Sequence, residues 1–591
     1  MNRLKVVAVS MFLMNSYLFS NTIEEQNKIK KEISIEQNIQ DKIKNFLNKN
    51  YSPLFINKKT LKEYYSLNQF KTFWTNENGL KDISLTLLET IKNDPVLKPI
   101  ANNIFRIDEI EKKINNSENS KKDILEIEFL MTELYDKYSY YLLNGSINWK
   151  AFQEKLTELE KDDEINAQWD RYEIKINHKE LLKTAIENND LSVAFKELDF
   201  NYPNANKLID AISNLEKVVQ NGDYIKLPPF KTLRIGDQSE VVKVLRQRLM
   251  QSQELTKTCE NSINAQNIVT NSLTTNENAQ EMIEEKVIIS CEEIFDEDLK
   301  NAVISFQKSH GLYADGIVGL QTQKFLNKSA KEKIEQIRVN LERMRWLPRD
   351  FGEKYLLINI PDYRLKMVEN NDIKLNMAVV VGEKKHPTPI FSDNMSYIVL
   401  NPNWNIPESI AKKEILPKLL KDPNYLASKG IDIYQGWHKD SEKVETTEVL
   451  DTLILQDVEA VPNFRFTQGP SDENPLGKMK FMFPNKHAVY LHDTPAKSLF
   501  NNARRAYSHG CIRLSRPDEL LMTIANDDKN LNIEKVTQIL ETETEKEKAI
   551  GLSKKIPVHI IYLTSWVDDN GELQFREDIY DYDKIQEELI Y

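Results

Sequence analysis

The sequence predicts a multi-domain α+β protein with an N-terminal α-helical scaffold, a small helical domain, and a mainly β C-terminal domain that carries a helical cap insertion. A chain of 591 residues is too long to fold around a single hydrophobic core. Apolar residues recur every three or four positions up to about residue 230, which indicates helices. Short apolar runs bounded by Asn, Gly, Asp or Pro replace this pattern from about residue 334, which indicates strands.

The first twenty residues have the pattern of a signal peptide. Arg3 and Lys5 precede an apolar run of about 14 residues, shorter than the roughly 20 that span a bilayer. We therefore expect residues 1–20 to be removed near Ser20 or Asn21 and the protein to be exported. An uncleaved anchor stays open, and it would leave the remainder outside the cytoplasm as well.

Residues 22–230 predict the α-helical scaffold domain. They are nearly free of Gly and show helical spacing, as in ILEIEFLMTELYDKYSYYLL, without a metal-like cluster of His, Cys and acids. The net charge of -12 and the scattered Lys and Arg argue against nucleic acid as a partner, because phosphates require clustered cations.

Residues 231–328 predict two short helices that pack around a glycine turn. Ser239 is the expected N-cap of the first helix, and Gly311 stands where the second should end. The apolar faces are Val242, Leu245 and Leu249 in the first helix and Leu299, Val303 and Phe306 in the second. Residues 253–290 interrupt the pair and are rich in Asn, Thr and Glu, which is typical of a solvated insertion.

The order of motifs in this unit, LRIGD, a helix, AVISFQ, GL and DGIVGLQT, resembles the small peptidoglycan-binding domain of wall hydrolases and transpeptidases. The sequence has three cysteines, an odd number, so at least one thiol is expected to stay free. Cys259 and Cys291 flank the polar insertion, and the sequence leaves open whether they form a disulfide. Cys511 lies far from both and is the candidate free thiol.

Residues 334–591 predict the mainly β domain, from runs such as YLLINI, KLNMAVVVG and PVHIIYLTSWV. Residues 406–460 have a more helical pattern between two groups of strands, as in PESIAKKEILPKLL. We expect this insertion to form a cap or lid over one end of the domain.

The stretch VYLHDTPAKSLFNNARRAYSHGCIRLSRPDEL places His492 at the end of an apolar strand and Cys511 directly after Ser-His-Gly. A thiol needs a neighbouring base or a positive field to act as a nucleophile. His492 and His509 are both possible bases, and the direction of the side chains decides between them. A helix with a capping-box-like start at Ser515 is expected to favour the thiolate. A zinc site from the two histidines and Cys511 lacks the usual ligand spacing.

His492, fifteen residues, Ser-His-Gly-Cys, an apolar residue and Arg together resemble the signature of the L,D-transpeptidase catalytic domain, the YkuD-like β-sandwich fold. NLERMRWLPRDFGEKYLLINIPDYRLKMV and QGPSDENPLGKMKFMFPNKHAVYLHDTP look like its large, YcbB-type branch. The resemblance implies that Cys511 is the nucleophile and His492 the general base and acid. It also implies that a backbone carbonyl orients the histidine, and Asp493 is the expected source.

The same resemblance implies roles for further positions around the site. His509 and Gly510 shape the oxyanion site, and Ser508 and Arg513 line the pocket. Arg513 stands where smaller relatives have Asn, so their properties do not transfer to that position. Trp404 and Tyr507 pack or position substrate.

The implied reaction is acyl transfer without metal or cofactor. Cys511 attacks a tetrapeptide stem, D-Ala leaves, and an amine of a second stem resolves the thioester into a 3-3 cross-link. Peptidoglycan stems are then donor and acceptor, carbapenem-type β-lactams are covalent inhibitors, and the location is the periplasm and cell wall. The scaffold domain is a possible contact for other wall-synthesis proteins. A same-fold carboxypeptidase that uses water as acceptor and a non-catalytic wall-binding scaffold stay open as alternatives.

Overall fold

The computed structural model describes residues 37–48, 58–76, 79–98, 100–116, 121–163, 165–257, 290–438, 440–449, 463–541 and 546–590. They fall into two compact units: one takes the chain up to Ser146 and Glu173–Phe200, and the other takes Ile147–Tyr172 and Asn201–Ile590. The predicted signal peptide, Cys259 and most of the predicted insertion lie outside the described residues. Within the described ranges every helix is too short or too polar to cross a membrane.

The first unit is helical, as predicted for the N-terminal region. Its helices are residues 37–48, Lys58–Leu67, Asp82–Asn93, Ala101–Phe105, Ile107–Asn116, Lys121–Asn144, His178–Asn188 and Ser192–Leu198. Glu128, fully buried on the longest helix, accepts hydrogen bonds from the backbone N–H groups of Phe73, Trp74 and Thr75. These bonds satisfy the buried carboxylate and hold an irregular segment against the helix.

The second unit begins with helical segments and the small predicted module. Its helices before the sheet are Trp149–Asp163, Ala205–Gln220, Glu240–Gln251, Glu297–Ser309, Leu320–Leu326 and Ala330–Arg345. The six apolar residues predicted to form the two helix faces are all buried. Ser239 is at the N-cap position, but its hydroxyl makes no capping hydrogen bond, so that part of the prediction is wrong.

Residues 147–172 pack in the second unit, although the sequence placed them in the scaffold. Trp169 packs edge-on against Trp346 with ring centroids 5.7 Å apart, and Phe152 stacks on Trp346 at 6.0 Å. Such aromatic pairs bury large apolar areas. The predicted domain boundaries stay a prediction.

The C-terminal region is mainly β, and the multi-domain α+β prediction is confirmed. Its strands are β1 (Lys354–Asn359), β2 (Arg364–Glu369), β3 (Asp372–Gly382), β4 (Phe391–Leu400), β5 (Trp404–Asn405), β6 (Ile431–Gln435), β7 (Lys443–Val444), β8 (Phe464–Gln468), β9 (Met479–Met482), β10 (Leu491–His492), β11 (Ala506–Ser508), β12 (Ile512–Leu514), β13 (Lys548–Ile561), β14 (Ser565–Val567) and β15 (Leu573–Phe575).

Nine of these strands form one sheet in the order β11-β3-β12-β10-β9-β4-β13-β1-β2, and an additional β2–β3 pairing closes it. Closure lets one face of every strand bury its side chains in a shared core. Three helices accompany the sheet: Pro517–Ala525, Ile533–Glu541 and Tyr582–Glu587. The short strands β10 and β12 lie side by side in this sheet; His492 ends β10, and Cys511 directly precedes β12.

The cap insertion is only partly helical. It contains the short helical segments Glu408–Ile410, Ala411–Ile415, Leu416–Leu419 and Tyr425–Ser428 and the strands β6 and β7. These two strands join β5 and β8, which flank the predicted bounds 406–460, in a four-stranded sheet of order β5-β8-β6-β7. The prediction missed this sheet because its strands have only two to five residues, too few for a clear alternation. Residues 439 and 450–462 of the insertion lie outside the described ranges.

Candidate active site

Two adjacent parallel strands bring the predicted nucleophile and base to one face of the sheet. His492 of β10 lies opposite Arg513 of β12, and Leu491 lies opposite Ile512. Leu491 and Ile512 are fully buried in the core. Because side chains alternate along a strand, His492 and Arg513 point to the other face, and so does Cys511, which directly precedes Ile512.

Strand β9 lies on the other side of β10 and adds a second cation. Lys480 is opposite His492 in the antiparallel pairing of β9 with β10. Tyr490, two positions before His492, belongs to the same face by alternation. The face around Cys511 therefore carries a tyrosine, a histidine and two cations.

His492 is held as a neutral imidazole. Only 4% of the residue is exposed, and its Nδ1 lies 2.5 Å from the carbonyl oxygen of Asp493, the residue expected from the sequence. A carbonyl only accepts, so Nδ1 carries the proton and Nε2 keeps its lone pair. Burial, helped by the charge of Arg513, lowers the pKa of His492 to about 3. The imidazole is therefore available as a base at neutral pH.

Cys511 is a partly exposed residue with a free thiol. Burial of the sulfur raises its pKa, while hydrogen bonding to Tyr490 and the charge of Arg513 act in the opposite direction. Desolvation outweighs these neighbours, so the surroundings as a whole favour the protonated thiol. The helix that was expected to help begins at Pro517, and Arg516, not Ser515, is at its N-cap position.

Ser508 and Gly510 shape the loop that leads to Cys511. The Ser508 hydroxyl donates to the Cys511 carbonyl at 2.5 Å and accepts from the Gly510 N–H at 3.2 Å. Gly510 has a φ of +109°, a backbone angle that residues other than glycine rarely adopt. Its carbonyl accepts a hydrogen bond of 2.8 Å from the Thr388 hydroxyl. Ser508 thus holds the loop instead of pointing to an open pocket.

His509 points toward the cap. Its Nε2 lies 3.0 Å from a carboxylate oxygen of Glu414, and its ring stacks on His386 with centroids 4.8 Å apart. About two fifths of each side chain in the His509–Glu414 pair is exposed, so the pair contributes little stability. This contact links the catalytic loop to the cap.

The other predicted positions are less central. Trp404 packs against the core of the cap, and Tyr507 is 43% exposed, with its hydroxyl 3.2 Å from the side-chain nitrogen of Asn502. The Asp493 carboxylate accepts from the Lys478 N–H at 2.9 Å and from Lys497 Nζ at 2.6 Å. Only the backbone carbonyl of Asp493 therefore serves His492.

Sequence reasoning missed Tyr490, Lys480, His386, Thr388 and Glu414. Tyr490 was detectable, because it stands two residues before His492 on a predicted strand and must share its face. The other four reach the site through strand pairing or loops distant in sequence, which a single sequence does not reveal. In the described part of the chain, no group of three His, Cys, Asp or Glu side chains is arranged to hold a metal.

Comparison with known families and proteins agrees with this geometry. Residues 353–532 match the family model of the L,D-transpeptidase catalytic domain (YkuD). Residues 59–212 match a scaffold-domain model, and residues 289–326 match the model described as "Putative peptidoglycan binding domain". Both catalytic candidates lie inside the first match.

A curated protein of Haemophilus influenzae named "Putative L,D-transpeptidase" is 31% identical over 264 residues, which are 44% of this chain and 50% of that protein. The chain thus matches about half the length of this relative. Among solved structures, an L,D-transpeptidase from Mycobacterium smegmatis is 12% identical over 35% of this chain and 58% of its own, with a TM-score of 0.16. The L,D-transpeptidase LdtMt1 in complex with imipenem is also 12% identical, over 35% and 59% of the two chains, with a TM-score of 0.16.

Proposed function

Because this chain carries an L,D-transpeptidase catalytic domain together with a peptidoglycan-binding module, we propose that it forms 3-3 cross-links between peptidoglycan stem peptides through a Cys511 acyl-enzyme. One observation carries the proposal: the free thiol of a partly exposed residue shares a strand face with a buried, neutral imidazole whose Nε2 has no hydrogen-bond partner among the described residues. The two groups have the roles of nucleophile and base.

Acylation starts from a thiol and a neutral imidazole. As Cys511 Sγ attacks the carbonyl before the terminal D-Ala of a tetrapeptide stem, the thiol proton passes to His492 Nε2. The carbon–nitrogen bond then breaks, and the D-Ala amine leaves with that proton. The product of this half-reaction is a thioester between Cys511 and the third stem residue, with His492 neutral again.

Two features of the site favour this step. Arg513 and Lys480 place positive charge on the face where the oxyanion of the tetrahedral intermediate develops. Burial keeps water from screening these charges. The Gly510 N–H donates to Ser508 in this structure, so we assign the main electrostatic role to the two cations.

Deacylation needs an acceptor. An amine of a second stem attacks the thioester and gives a proton to His492 as the new amide bond of the cross-link forms. The carbon–sulfur bond breaks, and the proton passes from His492 to Cys511 Sγ, which restores the thiol and the neutral imidazole. Water in place of the amine gives a trimmed tripeptide. The contact of His509 with Glu414 attaches the cap to the catalytic loop, and a closed cap favours the amine because it excludes water.

Carbapenems are proposed inhibitors of the same thiol, since their strained lactam presents a carbonyl to Cys511 and has no leaving group that diffuses away. Export to the periplasm and association with the cell wall follow from the substrate. Contacts of the N-terminal helical region with other wall-synthesis proteins belong to the same proposal.

The test compares the wild type with Cys511→Ala on a purified disaccharide-tetrapeptide, with mass spectrometry of enzyme and products. The wild type is expected to show an adduct on Cys511, free D-Ala and cross-linked dimers, and the variant none of these. Tripeptides without dimers would identify a carboxypeptidase. A wild type that never acquires an adduct would instead indicate a wall-binding scaffold, provided that both proteins unfold at the same temperature.

A further inference from the structure

A groove of about 590 Å³ lies between the small helical module and the catalytic domain. The two parts are in close contact here, since a Cβ on Gly311 of the module would lie 2.4 Å from the side chain of Arg576. Tyr313, Ile317 and Leu320 line the groove from the module, and Arg504 lines it from the catalytic domain. Neither family match by itself contains both walls.

The wall formed by the module is apolar and exposed. Tyr313 is 68% exposed, Leu320 76% and Ile317 37%. Single exposed apolar residues are common, but three that line one groove mark a binding surface. An exposed tyrosine offers a flat ring and a hydroxyl, which suits the apolar face and the hydroxyl groups of a sugar.

The lining of the groove also carries an excess of positive charge. The groove and an adjoining cavity of about 270 Å³ are lined by the cations Lys231, Arg364, Arg504, Arg505 and Arg576 and by the acids Asp315, Asp362 and Glu577.

The acids are already engaged. Asp362 pairs with Arg576 at 2.8 Å, Glu577 pairs with Lys324 at 3.0 Å, and Asp315 accepts the Ile317 N–H at 2.8 Å.

Two cations in the groove have no carboxylate partner. Arg504 and Lys231 are exposed and have no carboxylate within ion-pair distance in the part of the chain that the structure describes, although Arg504 also interacts with the Tyr363 hydroxyl. Cations without a carboxylate partner, in a groove of a protein with net charge -12, favour an anionic ligand. Arginine binds carboxylates particularly well, because its fork donates two parallel hydrogen bonds.

The groove is connected to the active site through the chain. Residues 501–505 line the two cavities and lead directly into β11 and the Cys511 loop. Cys511 is seven positions after Arg504, and a chain spans at most about 3.5 Å per residue. The two sites are therefore at most about 25 Å apart.

We propose that this groove binds a peptidoglycan strand next to the one that reacts, with sugar rings on Tyr313 and Leu320 and a stem-peptide carboxylate on Arg504. The inference rests on the proposed function and adds a second, composite site to it. The groove recruits polymeric substrate to Cys511, whereas a short soluble stem reaches the thiol without it.

The test uses two variants of the full chain, Tyr313→Ala and Arg504→Glu, with Tyr140→Ala and Arg234→Glu as matched exposed controls outside the groove. Binding is measured by co-sedimentation with three insoluble polymers: glycan strands with tetrapeptide stems, strands stripped of stems, and chitin. Acylation of Cys511 by a soluble disaccharide-tetrapeptide is followed in parallel. Thermal unfolding of each variant shows that it is folded.

Tyr313→Ala is expected to weaken binding to the glycan strands with stems and to those without stems by about tenfold, which is the usual loss when an important contact residue is truncated. Arg504→Glu is expected to weaken only the binding of strands with stems. Acylation by the soluble stem stays unchanged in both variants and in the controls. Unchanged sedimentation of both groove variants, or an equal loss in the controls, would overturn the proposal. A wild type that binds strands but acquires no Cys511 adduct would contradict the proposed function and leave the groove intact.

Discussion

Two buried histidines of the second unit share the same degree of burial and the same kind of hydrogen bond at Nδ1, but they differ in what lies next to Nε2. His492 and His310 are each about 4% exposed or less, and each donates from Nδ1 to a backbone carbonyl, of Asp493 and Phe306. Burial lowers the pKa of both. Nε2 of His310, however, accepts a hydrogen bond of 3.1 Å from the enclosed amine of Lys333, whereas Nε2 of His492 has no hydrogen-bond partner in the described part of the chain and lies on the strand face of the Cys511 thiol.

The comparison shows that burial and a hydrogen bond at Nδ1 make a histidine a neutral base with a lone pair on Nε2. Whether that base takes part in a reaction depends on whether a substrate can reach it. Lys333 is 3% exposed and packs over the ring of Phe575 at 4.7 Å, so no substrate reaches it. Cys511, in contrast, is a partly exposed residue. The same donor pattern therefore stabilises packing between the module and the catalytic domain in one place and supports a nucleophile in the other.

The largest expected effect separates the two histidines. His492→Asn should lower the rate of Cys511 acylation by about 10² to 10⁴, the usual contribution of a general base. His310→Asn should leave that rate unchanged and lower the free energy of unfolding by about 1 to 3 kcal/mol, because it removes the stack on Phe306 at 3.9 Å and unpairs Lys333. Carbapenem acylation and urea unfolding measure the two quantities. Similar acylation rates in both variants would contradict the comparison.

The second largest effect concerns the buried amine of Lys333 and the pH dependence of the free energy of unfolding. Burial, with the charge of Arg248 adding, lowers the pKa of Lys333 to about 7, although Glu254 partly opposes the shift. Between pH 7 and the ordinary pKa of lysine, the unfolded chain binds one more proton than the folded one, so the free energy of unfolding rises with pH by about 1.4 kcal/mol per unit. Urea unfolding at pH 7, 8 and 9 should show this rise relative to Lys333→Met.

The exposed Lys331 on the same helix provides the control, and Lys331→Met should keep the slope of the wild type. Equal slopes in the wild type and Lys333→Met would mean that the amine stays charged in the folded protein.

The pH profile of acylation tests the neutral pair at the active site. With the pKa of His492 near 3 and that of Cys511 raised, the rate should be flat from about pH 5 to 8. Arg513→Leu removes a cation that lowers both values, so both pKa values rise, and we expect the rate to fall by about tenfold with an acid-side decline at higher pH than in the wild type. Arg513→Lys should retain most of the rate. An inflection near pH 6.5 in the wild type would show that His492 titrates like an exposed histidine.

The smallest effect concerns the tyrosine beside the thiol. Tyr490→Phe removes a hydrogen bond that favours the ionised sulfur, so acylation should slow by about threefold. Tyr172→Phe, at an exposed position, should have no effect. A faster Tyr490→Phe enzyme would mean that the hydroxyl hinders the proton transfer.

The local patterns of the chain predicted more of the fold than of the site. The helix faces around Val242 and Phe306 follow from residue spacing alone, because every member of a face is a near neighbour in sequence. The small cap sheet was missed, since strands of two to five residues show no period. The pairing of Lys480 with His492 depends on register between strands, which no local pattern encodes.

By itself the sequence determined the mixed architecture and the presence of a cysteine and a histidine in a short, specific order, because composition, periodicity and motif spacing are properties of neighbouring residues. The tertiary structure decided how those two groups are charged and what surrounds them. Desolvation, strand register and the contact of the module with the catalytic domain arise only when distant segments pack, and these set the protonated thiol, the cations beside it and the groove at the junction.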